Sequence, residues 1–387
     1  MTTTASQRIP LCEPHIDGNA WAYVKDCLDT GWVSSVGAYV DSFQSAFAAR
    51  LGVGHAVAVS SGTAALHLAL LAAGVQPGDE VVTSTLTFVA PLNAIRHCGA
   101  DPVLIDAEPE HWQMDAGLLS DFLDRVATRD NGGVVNRETG RRIGAILPVH
   151  ILGHPCDMEA ITTVAERHGL AVIEDATEAL GSACNGRPVG TWGRLGCFSF
   201  NGNKLMTTGA GGMVVGNDPL LVARARHLST QAKLPGREFI HDAVGYNYRL
   251  SNLHAALGLA QLEQLESHVA AKARIASLYD DAFRGRPDIL PQPEAAWAER
   301  CFWLYTARLP GRDSRALIQA LDARGIDTRP LWQPLHLGPV YGACRREGGQ
   351  VAEMLYRECV SLPCSVGLSE ADQRRVIAAV LATLDTP

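Results

Sequence analysis

The chain predicts an α/β fold: a mainly parallel sheet with helices on both faces, followed by a smaller C-terminal α+β domain. Three observations predict it. Short apolar runs alternate with helical periodicities over the first two thirds of the sequence, the rhythm of strand–helix–strand units. A long helical pattern then leads into a stretch with fewer strand signals. The length of 387 residues, with 47% hydrophobic and 19% charged side chains, suffices for a large domain plus a smaller one.

The elements follow in order. Leu66, Leu70 and Leu71 recur at helical spacing after Ser60-Ser61-Gly62-Thr63. Pro77-Gly78-Asp79 is a turn, and Glu80-Val81-Val82-Thr83 reads as a strand. Asp101-Pro102 leads into Val103-Leu104-Ile105-Asp106; Ile143 to Val149 and Leu170 to Glu174 read as further buried strands. Between the last two, Met158 to His168 reads as a helix with Asp157 as N-cap. Asp124 to Arg142 is polar and Gly-rich, an inserted loop or hairpin. Asn252 to Phe283 reads as one long helix, with Leu253, Leu257, Ala260 and Leu265 among its apolar positions. Beyond it, Phe302 to Leu309 reads as a strand. Ser314 to Arg324, capped by Asp313, and Ser369 to Leu384 read as helices. The expected division is a large domain over 1–250 and, over 251–387, the linking helix and small domain.

Composition excludes several classes. A net charge of −8 argues against nucleic acid or an anionic membrane as the main partner. No apolar core follows Met1-Thr2-Thr3-Thr4-Ala5-Ser6-Gln7-Arg8, so no signal peptide is expected. The longest apolar stretch, Ala64 to Ala73, is too short to span a bilayer and contains His67. Ten cysteines occur singly without a CxxC pair, as expected of reduced thiols in a cytoplasmic protein.

The chemistry centres on Lys204. It ends the run Cys197-Phe198-Ser199-Phe200-Asn201-Gly202-Asn203-Lys204, and Thr207-Thr208-Gly209-Ala210-Gly211-Gly212 follows. Upstream, Leu170-Ala171-Val172-Ile173-Glu174-Asp175 is an apolar run ending in acid. A lysine in a small, hydroxyl-rich loop and a strand-end acid suit pyridoxal 5′-phosphate. The amine forms a Schiff base with the cofactor aldehyde, and the acid keeps the pyridine nitrogen protonated. Ser60-Ser61-Gly62-Thr63 precedes a helix whose N-terminus suits a phosphate. Alone it is an ordinary capped helix; beside Lys204 and Asp175 the phosphate reading is favoured. The Ser199 hydroxyl can bind the same phosphate or close a strand end. Phe88 can stack on the ring or belong to the core.

Other groups carry less. His150, His154 and Cys156 resemble a metal cluster, but Gly153 and Pro155 place them on a loop without a shared direction, so no metal is expected. Arg329, Trp332 and His336 suit a sugar pocket and plain domain-interface packing equally. Gly209-Ala210-Gly211-Gly212 lacks the spacing of a dinucleotide fingerprint.

Six segments together carry a resemblance that runs nearly end to end: Ser61-Gly62-Thr63-Ala64-Ala65-Leu66, Thr87-Phe88-Val89-Ala90, Pro148-Val149-His150, Glu174-Asp175-Ala176-Thr177-Glu178-Ala179, Phe198 to Lys204, and Gly245-Tyr246-Asn247-Tyr248-Arg249. The chain resembles the nucleotide-sugar aminotransferases of the DegT/DnrJ/EryC1/StrS family, fold-type I pyridoxal phosphate enzymes. The resemblance implies that Lys204 bonds the cofactor, Asp175 pairs with the ring nitrogen and Phe88 stacks on the ring. It places Glu178 near the cofactor's phenolic oxygen and the substrate. It implies that Gly62, Thr63 and Ser199 hold the phosphate. Asn247 would reach the phosphate in the other subunit, which makes a homodimer part of the active site.

Within the family, Asp29-Thr30-Gly31-Trp32-Val33-Ser34-Ser35-Val36-Gly37 resembles the substrate-side loop of enzymes that aminate C4 of nucleotide-linked 4-keto-6-deoxyhexoses. Trp32, Ser34 and Ser35 are thereby substrate candidates. His150 to Pro155, the 124–142 insertion and Ser361-Leu362-Pro363-Cys364-Ser365 look like the legionaminic-acid-pathway aminotransferases. Those act on a UDP- or GDP-linked 4-keto-6-deoxy-N-acetylglucosamine with L-glutamate as donor. The perosamine synthases, with a similar loop, are the alternative. Arg249 is a candidate for the glutamate carboxylate, with a structural ion pair as its other reading. A sugar dehydratase of this fold has histidine in place of the lysine, so Lys204 argues against it. A non-catalytic homologue would not need the lysine–aspartate pair.

Overall fold

The computed structural model describes residues 8–130 and 132–385. Its main sheet has the strand order His55–Val59, Gly212–Gly216, Leu195–Ser199, Ile173–Asp175, Ile143–Leu147, Glu80–Ser84, Asp101–Ile105, Arg346–Glu347. Two bridges, Ile146 with Val172 and Val149 with Asp175, join its two halves. Among these strands only Gly212–Gly216 runs antiparallel to its neighbours. The carboxyl ends of the others therefore collect along one edge, where ligands of α/β sheets bind. The strands are almost wholly buried, so the sequence reads as apolar runs rather than alternation.

The helix Gly62–Ala72 follows the first strand, with Leu66, Leu68 and Leu70 fully buried. Ser61 caps it by accepting from the Ala64 N–H at 3.0 Å. Asp157 caps Met158–His168 in the same way, accepting from Ala160. The polar insertion forms a hairpin of Ala127–Asp130 and Gly133–Asn136. Asn136 Nδ2 donates to Glu80 Oε2 at 2.8 Å and ties the hairpin to the sheet.

Two features depart from the sequence reading. The pattern from Asn252 to Phe283 is two helices, Asn252–Glu263 and Leu265–Phe283. Gln264 breaks it, because its N–H turns back to Gln261 O at 3.0 Å and tightens the last turn. Two segments also cross the division expected at residue 250. Ile9 pairs with Ile326, and Leu11 O accepts from Cys364 N at 2.8 Å, so the N-terminal segment packs with the C-terminal elements. Arg346–Glu347 conversely extends the main sheet.

The C-terminal elements form an antiparallel sheet ordered Leu290–Pro291, Tyr305–Arg308, Cys359–Leu362, Arg329–Pro330. Ser314–Asp322 and Glu370–Leu384 pack with it, capped by Asp313 and Ser369. No helix among the described residues is long and apolar enough to cross a membrane.

Candidate active site

A cavity of about 630 Å³ opens at the carboxyl edge of the sheet. Gly62, Thr63, Phe88, Glu178, Ser199, Lys204, Arg329 and Trp332, all named from the sequence, line it. Gly62 is required by a close approach: a Cβ there would lie 2.7 Å from Ser199 Cβ. The helix start and the strand end thus meet in a cradle that only glycine permits.

Lys204 sits in the turn after Leu195–Ser199, its N–H bonded to Asn201 O at 3.0 Å. Its Nζ lies 3.7 Å from Glu178 Oε1 and 3.9 Å from the centre of the Trp303 ring. Glu178 Oε2 accepts from the Leu152 N–H at 3.1 Å. Leu152 holds a left-handed φ of 61° to present that N–H, next to Gly153 at 84°. Burial pushes the Glu178 carboxyl up to about 7, against the pull of Lys204 and the Leu152 N–H.

Asp175, at the end of its strand, is buried two residues before Thr177 of the cavity wall and does not itself line the cavity. Its Oδ1 accepts from the Thr177 N–H at 3.0 Å. Burial pushes this carboxyl above the usual range, while hydrogen bonds from Thr177 and the charge of Lys204 pull it back. Its neighbour Glu174 is handled differently. Gly190 N–H (2.7 Å), Gly193 N–H (2.6 Å) and His150 Nε2 (3.2 Å) all reach its oxygens. Glu174 is a satisfied structural carboxylate, and Asp175 keeps capacity for a further donor.

The histidines are engaged in loop packing. His150 Nδ1 accepts from Cys156 N at 3.0 Å, which puts the ring proton on Nε2 toward Glu174. His154 Nδ1 donates to Pro155 O at 2.7 Å, and its Nε2 accepts from Ala295 N at 3.1 Å. Burial pushes His154 down to about 3, so it stays neutral.

Other expected site residues lie elsewhere in the chain. His336 is away from the cavity wall: Nδ1 meets Thr85 Oγ1 at 2.7 Å and Nε2 meets Glu353 Oε1 at 3.0 Å, the interface packing that was its other reading. Trp32 is 58% exposed. Asn252 holds its loop through Trp32 O (2.8 Å) and Ser34 O (2.6 Å). Ser35 and Arg249 line a separate cavity of about 230 Å³. Asn247 is exposed and bridges to Thr230. None of His336, Trp32, Ser34, Ser35, Arg249 and Asn247 lines the Lys204 cavity of its own chain.

Sequence reasoning missed Trp303, whose Nε1–H donates to Asn203 O at 2.7 Å. It also missed Asn203 itself and Tyr356, both on the cavity wall. A tryptophan entering a strand carries no signal that separates it from a core residue.

Comparison with known proteins gives this geometry a family. The pattern of the DegT/DnrJ/EryC1/StrS aminotransferase family matches residues 14–381. The chain belongs to that family. It is 42% identical over 379 residues to the GDP-perosamine synthase of Caulobacter vibrioides, covering 96% of this chain and 97% of that one. It is 39% identical to the GDP-perosamine synthase of Escherichia coli O157:H7, covering 93% and 94%. The crystal structure of S. venezuelae DesV matches with a TM-score of 0.87 at 32% identity, covering 99% and 100%. The chain is thus a pyridoxal phosphate-dependent sugar aminotransferase of fold type I. The subgroup expectation needs correction: these two relatives are perosamine synthases, and the legionaminic-acid likeness rested on short loop segments.

Proposed function

We propose that this enzyme is a 4-aminotransferase of the GDP-perosamine synthase type, moving the amino group of L-glutamate to C4 of a GDP-linked 4-keto-6-deoxyhexose. The near end-to-end identity with two GDP-perosamine synthases carries this reading. The cavity supports it by bringing Lys204, Glu178 and the Gly62–Ser199 cradle together.

The residues fit the cofactor. Asp175 would hold the ring nitrogen, Phe88 its face, and Gly62, Thr63 and Ser199 its phosphate. Two observations speak for that fit: Asp175 is a buried carboxyl with capacity for a donor, and Phe88 stands 53% exposed on the cavity wall. When bound, pyridoxal phosphate supplies an aldehyde that carries the amino group and a ring that takes up electrons. Lys204 Nζ would hold the cofactor, and as a free amine it would take a proton from one carbon and return it to another. Glu178, poised near neutral pH, accepts or releases a proton at its carboxylate within reach of Lys204. Trp303 covers the amine, and Trp332 stacks on Trp303.

The test is an assay with L-glutamate against GDP- and UDP-linked 4-keto-6-deoxy sugars, with and without an N-acetyl group. The GDP-linked, non-acetylated sugar should give the highest kcat/KM. Preference for an N-acetylated or UDP-linked sugar overturns the proposal.

The functional unit on this reading is a homodimer. Asn247, Trp32, Ser34 and Ser35 lie outside their own cavity, and as partner residues they would complete the other one. An amide donor suits a phosphate oxygen. Mixing Lys204→Ala with Asn247→Ala subunits should restore activity, since one site of each mixed dimer keeps both groups. Simple averaging, with subunit exchange confirmed, refutes the shared site.

A further inference from the structure

Behind the Lys204 wall lies a second lysine that the transamination does not use. Lys272, in the helix Leu265–Phe283, is 1% exposed. Its Nζ donates to Trp303 O at 2.8 Å and lies 3.6 Å from both Cys12 Sγ and Cys364 Sγ. No carboxylate ion pair to it is formed among the described residues. A buried ammonium needs a counter-charge. Among the described residues, the acids within hydrogen-bond reach of it are the Cys12 and Cys364 thiols, and the buried Cys301 thiol also feels its charge.

The sulfurs are not equivalent. Cys364 is buried, with its sulfur 3.6 Å from the Lys272 ammonium and beside the Cys12 thiol and the Tyr305 N–H; in its protonated form it donates to Trp303 O at 3.5 Å. The ammonium and the two neighbouring donors favour the thiolate once that proton leaves. Hydrogen bonding from Cys12, and then the charge of Lys272, hold Cys364 down to about 6 against its burial. Cys12 keeps the proton, also 3.4 Å from Asn203 O, and is partly exposed. The Cys364 N–H bond to Leu11 O, at 2.8 Å, ties the two segments together beside both thiols.

We propose that Cys12, Cys364 and Lys272 form a peroxide-reactive dithiol in which the two sulfurs share one negative charge held by Lys272 and close to a disulfide on oxidation. The steps balance. Cys12 passes its proton to Cys364, and the Cys12 thiolate attacks one peroxide oxygen. The O–O bond breaks, leaving a sulfenic acid on Cys12, and the departing hydroxide takes a proton from solvent to become water. The Cys364 sulfur then attacks the Cys12 sulfur and gives up its proton, and the sulfenic hydroxyl leaves as the second water. One thiol and one thiolate together lose two electrons, and one peroxide, with one proton from solvent, is reduced to two waters.

The experiment treats the reduced, cofactor-loaded enzyme with limiting hydrogen peroxide at pH 7 and maps its cysteines by peptide mass spectrometry. A Cys12–Cys364 disulfide, reversed by dithiothreitol, should form while Cys344 stays reduced, although Cys344 is also partly exposed. Lys272→Met should slow the disulfide by roughly tenfold or more, through loss of the thiolate. Where that variant does not fold, alkylation of Cys12 in the wild type decides. A rate already at its plateau by pH 7 supports the shared thiolate, and a rate that climbs only above about pH 8, the range of an ordinary thiol, overturns it. Equal oxidation of Cys12 and Cys344 without a cross-link, or a lysine–oxygen–sulfur bridge on Lys272, also overturns the proposal.

Discussion

The two walls of the Lys204 cavity are built by different means. Gly62, Thr63, Glu178, Ser199 and Lys204 come from a strand end and from the helix start and turns that follow strands of the main sheet, so backbone pairing fixes their spacing. Trp303, Arg329, Trp332 and Tyr356 come from the C-terminal elements and are placed by side-chain packing. The Trp303 and Trp332 rings stack at 6.3 Å and 9°. The first wall holds the groups that gain and lose protons, and the second offers aromatic faces and a guanidinium. The difference teaches that the groups proposed to do the chemistry are spaced by the paired backbone of the sheet, while the facing wall is one that side-chain changes can reshape.

The largest effects should fall on the sheet-end wall. On the proposed function, Lys204→Ala removes the nitrogen that would bond the cofactor and move the proton. Turnover should drop by about 10⁴-fold or more, and the visible absorption of the bound cofactor should vanish. Asp175→Asn should keep the cofactor and lose about 10²–10⁴-fold, since an amide carries no negative charge to hold a proton on the ring nitrogen. Steady-state kinetics and the absorption spectrum check both. A Trp332→Ala enzyme that lost as much as Asp175→Asn would erase the distinction between the walls.

The same division governs what the sequence discloses. Asp175, Ser199 and Lys204 are legible because each lies within a short contiguous run whose pattern announces a strand end or its turn. Trp303 is illegible because contact with Lys204 is made across about a hundred residues, and nothing local marks a wall residue apart from a core one. His336 shows the converse. Its composition suggested a pocket, yet Thr85 and Glu353 use both ring nitrogens. The break at Gln264 was hidden because no Gly or Pro marks it and both flanks keep helical periodicity. Trp32, Ser34, Ser35 and Asn247 were legible through resemblance alone, and Arg249 through charge and position alone; a single chain leaves all of them outside the cavity.

Glu178 offers a sharper test of the sheet-end wall through pH. Burial raises its carboxyl from 4.5 to about 7, so the folded chain binds this proton more tightly than the unfolded chain does. Its contribution to stability is therefore full below about 4.5, lost as pH rises through about 7, and constant above. Glu178→Gln removes that dependence and still accepts from the Leu152 N–H. Between pH 4.5 and 8 the cofactor-free variant should gain about 3 kcal/mol on the wild type. Urea unfolding at several pH values reads it directly. A difference that does not change with pH means that the fold leaves this carboxyl unperturbed.

The smallest effect should come from the one place where the walls touch. The Trp303 ring faces Lys204 Nζ at 3.9 Å, and its Nε1–H holds Asn203 O, one residue before that lysine. A ring face under an ammonium is worth about 0.5–2 kcal/mol, up to roughly thirtyfold in rate if it is needed to hold the amine in place. Trp303→Phe keeps a ring face and loses the hydrogen bond; Trp303→Leu loses both. If the ring positions the amine, the leucine variant should lose about tenfold in kcat and the phenylalanine variant only two- to threefold or so, with KM for glutamate little changed in either. Equal losses in the two variants would assign the effect to the Asn203 bond and remove the cation–ring contact from the account. No loss in either would leave Trp303 as a cover over the cavity, and the two walls would then be independent in energy as well as in construction.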